Sequence, residues 1–410
     1  EIASCLVGSE MCIRDSLVSG FRTPVGRYGG ALSSVRPDDL MATAIKKTVE
    51  EAGLDPSAVD EVIIGNANGA GEENRNVARM SWLLAGFPDT VPGITVNRLC
   101  ASGMSSIALA TALVESGQAD VVIAGGVESM SRAPWVMEKP NKPFAKPGQV
   151  FDTSIGWRFA NPKFAEQEKM TYSMPETAEE VANVFGISRE DADAFAVRSQ
   201  EHALAAIEAG KFAREIVPVE VTDRKGNVTV VDTDEGPRPG TTMEVLAKLR
   251  PVTSLGDVTT AGNASSLNDG ASCVIVASEE ALKKHNLTAR ARVVANSARG
   301  VRPEIMGTGP IPATHDVLER AGWELDSVDA IELNEAFASQ SIACIRELGL
   351  DEDKVNAWGG AIALGHPLGS SGSRITLTLL NRLETDGLSR GIATMCVGVG
   401  QGTAIAIERV

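Results

Sequence analysis

The chain has 410 residues, 43% of them hydrophobic, with 38 Lys and Arg against 54 Asp and Glu and a net charge of −16. That length and apolar content suit two or three compact units, and the acidic balance argues against a general basic surface for nucleic acid. No apolar run approaches the ~20 residues that span a bilayer, so no membrane partner is expected.

Six cysteines (Cys5, Cys12, Cys100, Cys273, Cys344 and Cys396) are scattered without a CxxC pair. This is a poor disulfide framework and a poor zinc site, and it fits a reducing cytoplasm. Residues 1–16 carry two of them, mixed charges and no clean alternation. They lack the charged start, apolar core and cleavage site of a signal peptide, and they are left out of fold reasoning as a tag or a sequence error.

In chain order, AGLDPSAVDEVIIGNA (Ala52 to Ala67) reads as a helix ending at Ala-Gly, a Val-Asp pair and a short apolar strand. NRLCASGMSS (Asn97 to Ser106) leads into a helix over Ser102 to Ser116 without a charged face until Glu115. A helix that is small or apolar all round is expected to be buried. Cys100 then lies near its N-terminus, where the positive end of the dipole lowers a thiol pKa. An apolar strand follows at Val121 to Ala124.

From Ser129 to about Val252 the texture changes. Pro134 to Pro147 is rich in Pro and Lys and reads as loop, and a helix runs from an N-cap at Ser188 to Gly210. The segment is long enough to cover a site.

Beyond it the first pattern returns. AGWELDSVDAIELNEA (Ala321 to Ala336) aligns without gaps on Ala52 to Ala67. A second echo sets Val96 to Gly103 against Val355 to Gly372, each followed by a helix, a glycine (Gly117, Gly387) and an apolar strand. Strand, helix, strand order indicates parallel sheet covered by helices, and its repetition indicates two related α/β halves about a pseudo-twofold.

The chemistry-bearing residues stand in glycine-rich settings: Cys100, His366 in GGAIALGHPLGSSG (Gly359 to Gly372) and Cys396 in ATMCVGVGQG (Ala393 to Gly402). Glycine lets backbone N–H groups approach a ligand closely. A thiol, an imidazole and free backbone donors are what acyl transfer through a thioester requires. Of the other histidines, His202 and His285 fall on charged helical surface, and His315 reads as a solvated loop residue.

These motifs, with RTPVGRYGG, GGVESMSRAP, TAGNASSLNDGA and NEAFA (Asn334 to Ala338), resemble the thiolase family from Phe21 to Val410. The resemblance implies an α/β thiolase fold: two duplicated βαβαβαββ halves in a five-layer αβαβα core with an inserted loop domain over the active site. The N-terminal half would be residues 17–128 with 253–278, the insert 129–252 and the C-terminal half 279–410. It implies Cys100 as nucleophile, His366 as its base and Cys396 as the group exchanging a proton with the α-carbon. Backbone N–H groups of Cys100 and Gly398 would form one oxyanion hole, and Asn334 with His366 the other. Ser265, Ala261 and Ala264 would lie along the pantetheine arm of coenzyme A, and Met174, Phe337, Ser173 and Arg158 would line the acyl pocket.

Within the family, GEENRNVARM (Gly71 to Met80), DTSIGWRFANP (Asp152 to Pro162) and SMPETAEEVA (Ser173 to Ala182) look like members acting on 3-oxoadipyl-CoA and related 3-oxo-dicarboxylyl-CoAs. Ser173 stands where acetoacetyl-type enzymes carry histidine, and Asn356-Ala357-Trp358 departs from the family's usual Asn-Pro-Asn. Acetoacetyl-CoA synthesis and general 3-ketoacyl-CoA cleavage remain alternatives, whereas carrier-protein synthases normally lack a second cysteine such as Cys396. The implied partners are acyl-CoA and CoA, with a homo-oligomer, dimer or tetramer. No metal or redox cofactor is expected, coenzyme A being a substrate.

Overall fold

A computed structural model of the chain describes residues 15–140 and 142–410. Residues 1–14, most of the segment set aside above, lie outside the described residues. Ser16 lies inside them: it opens strand β1 (Ser16–Arg22), pairs with Ala277 and is buried.

The first half continues with helix α1 (Pro37–Glu51), β2 (Glu61–Gly65), α2 (Val77–Leu84), β3 (Gly93–Val96), α3 (Ser102–Glu115) and β4 (Val121–Ser129). After the insert, with helices α4 (Met174–Phe185) and α5 (Arg189–Glu208), comes β5 (Asn268–Ala277). The second half follows as β6 (Ala291–Gly300), α6 (Pro310–Ala321), β7 (Ala330–Leu333), α7 (Ala338–Leu348), α8 (Leu368–Thr385), β8 (Arg390–Val397) and β9 (Gln401–Arg409).

The strands run in the order β7-β8-β9-β6-β1-β5-β4-β2-β3. Between β1 and β6 the only register pair is Leu17 with Ala291, so the sheet is two half-sheets meeting edge to edge. Each half has the same grammar. In the first, β2 pairs parallel with β3 and β4, and β5 is antiparallel to β4 and β1. In the second, β7 is parallel to β8, and β9 is antiparallel to β8 and β6. The counterpart of β3 is a single parallel bridge between Ile331 and Val355. Equivalent aspartates cap both halves: the Asp60 carboxylate accepts the N–H of Asp120 and Val121, and that of Asp329 accepts the N–H of Ser389 and Arg390.

Alternation along the strands creates five layers, because successive side chains point to opposite faces. Val62 and Ile64 pack outward with Leu40 and Ile45 of α1, while Ile63 packs inward with Met104 and Ile107 of α3. In the second half Ile392 faces outward with Val317 of α6 and Ile342 of α7. Ala393 and Met395 face inward with Leu379 and Leu383 of α8. The two central helices α3 and α8 therefore lie between the half-sheets. Their contact is tight: a Cβ on Gly103 would lie 2.7 Å from the Gly369 carbonyl and from the Ser373 hydroxyl.

The structure departs from the sequence reading at three points. Helix α3 is not buried all round, since Leu109, Ala112 and Glu115 face solvent beside the sheet edge at β3. Pro134 to Pro147 is not all loop, because Trp135–Met137 pairs with Val150–Asp152. His315 lies within α6 rather than in a loop, although it is exposed, because Pro310 and Pro312 fall in the first turn, where a missing N–H breaks no helical bond.

The insert is pinned to both halves by buried charge. Arg22, at the end of β1, donates to Glu215 at 2.6 Å and to both carboxylate oxygens of Asp234 at 2.6 and 2.8 Å. Asn381 of α8 donates to the same Glu215 at 2.8 Å. Removing one partner of such a set strands a charge in a dry interior, a loss of about 3–5 kcal/mol. Among the described residues no helix is long and apolar enough to cross a membrane.

Candidate active site

The turn between β3 and α3 is built by side chains folding back on the backbone. Asn97 accepts the Leu99 N–H at 2.8 Å and donates to the Ala67 carbonyl at 2.9 Å. Ser102 accepts the Arg98 N–H and returns a hydrogen bond to the Leu99 carbonyl. Leu99 is thereby held at φ 47°, a left-handed conformation costing about 1–3 kcal/mol outside glycine. Its consequence is to place Cys100 on the one-turn helix Leu99–Ala101, in the wall of a pocket of about 380 Å³.

Burial pushes the Cys100 thiol up to about 11, while the N–H groups of Gly398 and of Cys100 itself pull the other way. The helix end does not make this thiol acidic, because desolvation outweighs the nearby donors. The thiol therefore needs a base.

His366 enters the same pocket from the loop before α8. Its main-chain N–H donates to Asn268 at 2.9 Å. Its Nδ1 lies 2.6 Å from the Ser371 hydroxyl, and its Nε2 lies 3.4 Å from the Asn334 amide. Burial, reinforced by the Arg374 charge, holds the imidazole down to about 3, so it is neutral at physiological pH. Asn334 itself is fully buried at the end of β7 and is not in the pocket wall; its Oδ1 has no partner among the described residues.

Cys396, near the end of β8, and Gly398 complete this end of the pocket. Burial first, then the neighbouring Cys100 and Cys344, hold the Cys396 thiol well above its usual range. Cys396 packs in one apolar cluster with Met306, Phe337 and Met174. Glu335, beside Asn334, is a buried strut: it accepts from Ser199 at 2.6 Å, Asn356 at 2.8 Å and the Ile362 N–H at 3.1 Å.

The insert supplies a further part of the pocket wall. Thr153, Ser154, Trp157, Arg158 and Ser173 all line it. Ser173 starts α4 with a capping box, its N–H donating to Glu176 at 2.7 Å. Arg158 is the one Lys or Arg side chain in the pocket wall among the described residues, and it donates to Asn68 at 3.2 Å.

Residues 16–280 match the family described as thiolase, N-terminal domain, and residues 287–409 match thiolase, C-terminal domain. The chain belongs to the thiolase family. A beta-ketoadipyl-CoA thiolase of Pseudomonas aeruginosa is 57% identical over 392 residues, covering 95% of this chain and 97% of that one. The 3-oxoadipyl-CoA/3-oxo-5,6-dehydrosuberyl-CoA thiolase of Escherichia coli is 53% identical over 397 residues, covering 96% and 99%. The solved acetyl-CoA acetyltransferase of Bacillus anthracis superposes with a TM-score of 0.91 at 40% identity, covering 98% of this chain and all of that one. The chain is thus an acyltransferase with the thiolase fold.

In this thiolase the pocket brings together Cys100, His366, Cys396, Gly398, Ser265, Met174, Phe337, Ser173 and Arg158. Ala261 and Ala264 lie outside its wall. Ala261 is exposed, whereas Ala264 pairs with Phe337 and packs at the edge of the Cys396 cluster. Among the polar residues of the wall that the sequence reading did not single out are Glu128 and Asn68. Glu128 accepts the N–H of Ala67 and of Gly369, both at 2.9 Å, and so ties the two halves together beside His366. Burial raises its carboxyl to about 7. Its signal was available: a lone charge at the end of an otherwise apolar, glycine-rich strand needs buried partners.

Proposed function

We propose that this thiolase cleaves 3-oxoadipyl-CoA, or a close 3-oxo-dicarboxylyl-CoA, with CoA to give acetyl-CoA and an acyl-CoA two carbons shorter. The observation that carries the substrate is Arg158, a cation in the wall of the same pocket that Cys100 and His366 line. The activities for which the Pseudomonas and Escherichia relatives are named support the same reading.

In the proposed reaction Nε2 of His366 takes the Cys100 proton and the thiolate attacks the 3-oxo carbon. The resulting alkoxide collapses, the C2–C3 bond breaks, and the electron pair leaves as the enolate of acetyl-CoA beside Asn334 and His366. Cys396 protonates that carbon, a role suited to a thiol kept neutral by burial. The Cys396 thiolate then takes the proton of an incoming CoA, whose sulfur attacks the acyl-Cys100 thioester. The oxyanion is held by the N–H groups of Cys100 and Gly398, and Cys100 recovers its proton from His366. The scheme uses coenzyme A as a substrate, with Ser265 and the loop bearing Ala261 and Ala264 along its arm, and needs no metal or redox cofactor.

Segment 129–252 acts as the cover that supplies the acyl pocket. Assembly into a dimer or tetramer is supported by the apolar residues left open around the β3 edge: Leu83 and Leu84 of α2, Ile94 of β3 and Leu109 of α3. The thiols of Cys100, Cys273, Cys344 and Cys396, unbridged among the described residues, and the CoA substrates fit the reducing cytoplasm.

The test is kcat/KM on 3-oxoadipyl-CoA and on 3-oxohexanoyl-CoA, a neutral chain of equal length. A charge-assisted hydrogen bond from Arg158, about 1.5–3 kcal/mol when desolvated, gives a preference of roughly tenfold to a hundredfold for the dicarboxylate. Arg158→Ala erases it and spares the neutral substrate. A wild-type preference for acetoacetyl-CoA or for the neutral chain refutes the dicarboxylate reading.

A further inference from the structure

We infer that Asn68 is a specificity-determining positioning residue: it aims the Arg158 guanidinium into the acyl pocket without neutralising it. The inference rests on the reading of Arg158 as the partner of a distal carboxylate.

Asn68 follows β2, is 8% exposed and lines the pocket. Its hydrogen bonds have one possible direction. The Thr153 hydroxyl donates its only proton to the Pro134 carbonyl at 2.6 Å, so its oxygen must accept. The Asn68 NH₂ supplies that proton at 2.9 Å and also donates to the Thr153 carbonyl at 3.1 Å. With both partners of its nitrogen fixed, the amide presents Oδ1 to Arg158, whose Nη2 donates at 3.2 Å. The other N–H groups of Arg158 have no partner among the described residues, which leaves its donor fork open for a ligand.

The choice of amide over carboxylate is the functional point. Asn and Asp have the same shape, but Asp would form a charge-assisted pair with the guanidinium and compete with a substrate carboxylate for it. A neutral acceptor orients the cation and leaves its charge unspent. The backbone of Asn68 serves the opposite neighbour, its N–H facing the Glu128 carboxyl. Asn68 thus stands as a neutral spacer between Glu128, whose charge bears on Cys100, and the Arg158 cation.

The experiment measures kcat/KM on 3-oxoadipyl-CoA and 3-oxohexanoyl-CoA for wild type, Asn68→Asp, Thr153→Val, Arg158→Ala and the Thr153→Val/Arg158→Ala double variant. Asn68→Asp is expected to lower the charged-to-neutral ratio by about tenfold, mainly through KM for the dicarboxylate. Thr153→Val frees the amide to rotate and moves the ratio the same way by about threefold. In the Arg158→Ala background Thr153→Val, which adds no charge, produces no further change in the ratio, which a merely structural defect would not reproduce. If Arg158→Ala lowers the ratio while Asn68→Asp and Thr153→Val leave it at the wild-type value, the role of Asn68 is overturned and the Arg158 reading stands. If wild type shows no preference, or Arg158→Ala keeps it, the Arg158 reading falls and the role of Asn68 with it.

Discussion

The Ser371 hydroxyl sets the tautomer of His366. It donates to the Pro367 carbonyl at 2.9 Å and lies 2.6 Å from Nδ1 of His366. A hydroxyl has one proton, and it is committed to Pro367, so toward the imidazole the oxygen accepts. Nδ1 therefore carries the ring proton, and Nε2 presents a lone pair toward Asn334 and the pocket. That is the form a general base requires.

Ser371→Ala removes this acceptor, strands a buried N–H and frees the ring to change tautomer. Acylation of the enzyme by 3-oxoadipyl-CoA in a single turnover is expected to slow by roughly tenfold to a hundredfold, the equivalent of ~1–3 kcal/mol for an unsatisfied buried donor. An unchanged rate would show that the ring is oriented by other contacts.

The histidine also makes stability depend on pH. Its folded pKa, about 3, is below the ordinary value of 6.5, so the unfolded chain takes up the proton first. Its stabilising contribution is complete above pH 6.5 and is lost as the pH falls toward 3. Between pH 6.5 and 5 the loss from this one group is on the order of 1–2 kcal/mol. Urea midpoints at the two pH values, converted with the measured m-value, should show wild type losing that much more than His366→Gln. Parallel losses in both proteins would contradict a neutral buried imidazole.

The proposed reaction is divided between the two cysteines. After incubation with an acyl-CoA alone, mass spectrometry should find one acyl adduct on Cys100, absent in Cys100→Ala. Cys396→Ser should slow carbon–carbon cleavage by about a hundredfold or more while acyl exchange between Cys100 and CoA survives, because only cleavage moves a proton at the α-carbon. Equal losses in both half-reactions would make Cys396 a structural residue.

Gly126 tests how closely the layers are packed. A Cβ there would collide with the Gly369 carbonyl and come within 3.1 Å of Gly103, where β4 meets both central helices. Backbone cannot rotate aside as a side chain can, so Gly126→Ala is expected to cost at least about 1–3 kcal/mol and to lower activity through the displaced loop between His366 and α8. A thermal midpoint equal to wild type would mean that the helices move apart freely.

The repeat and the glycine-rich settings of Cys100, His366 and Cys396, which the fold brings into one pocket, were legible along the chain because each has a local signature. Ala52 to Ala67 and Ala321 to Ala336 share helix end, aspartate and strand, and the structure adds what that pattern is for: Asp60 and Asp329 fasten equivalent strands through equivalent backbone donors. Glycine density around Cys100, His366 and Cys396 likewise marks places where backbone comes close. The α3 face was misread for a related reason, since composition reports what a helix tolerates touching and not whether a neighbour is present in one chain.

Other properties depended on distance in space. The neutral state of His366 follows from burial and Arg374 and its tautomer from Ser371, and the weak acidity of Cys100 follows from desolvation beating a favourable helix end. Glu128 and Asn68 join residues tens to hundreds of positions apart, Gly369 and Ala67 in one case and Thr153 and Arg158 in the other. A residue type states which bonds a side chain can make. Only the folded chain, by removing water and fixing partners, decides which of them it makes and how strongly each shifts the chemistry.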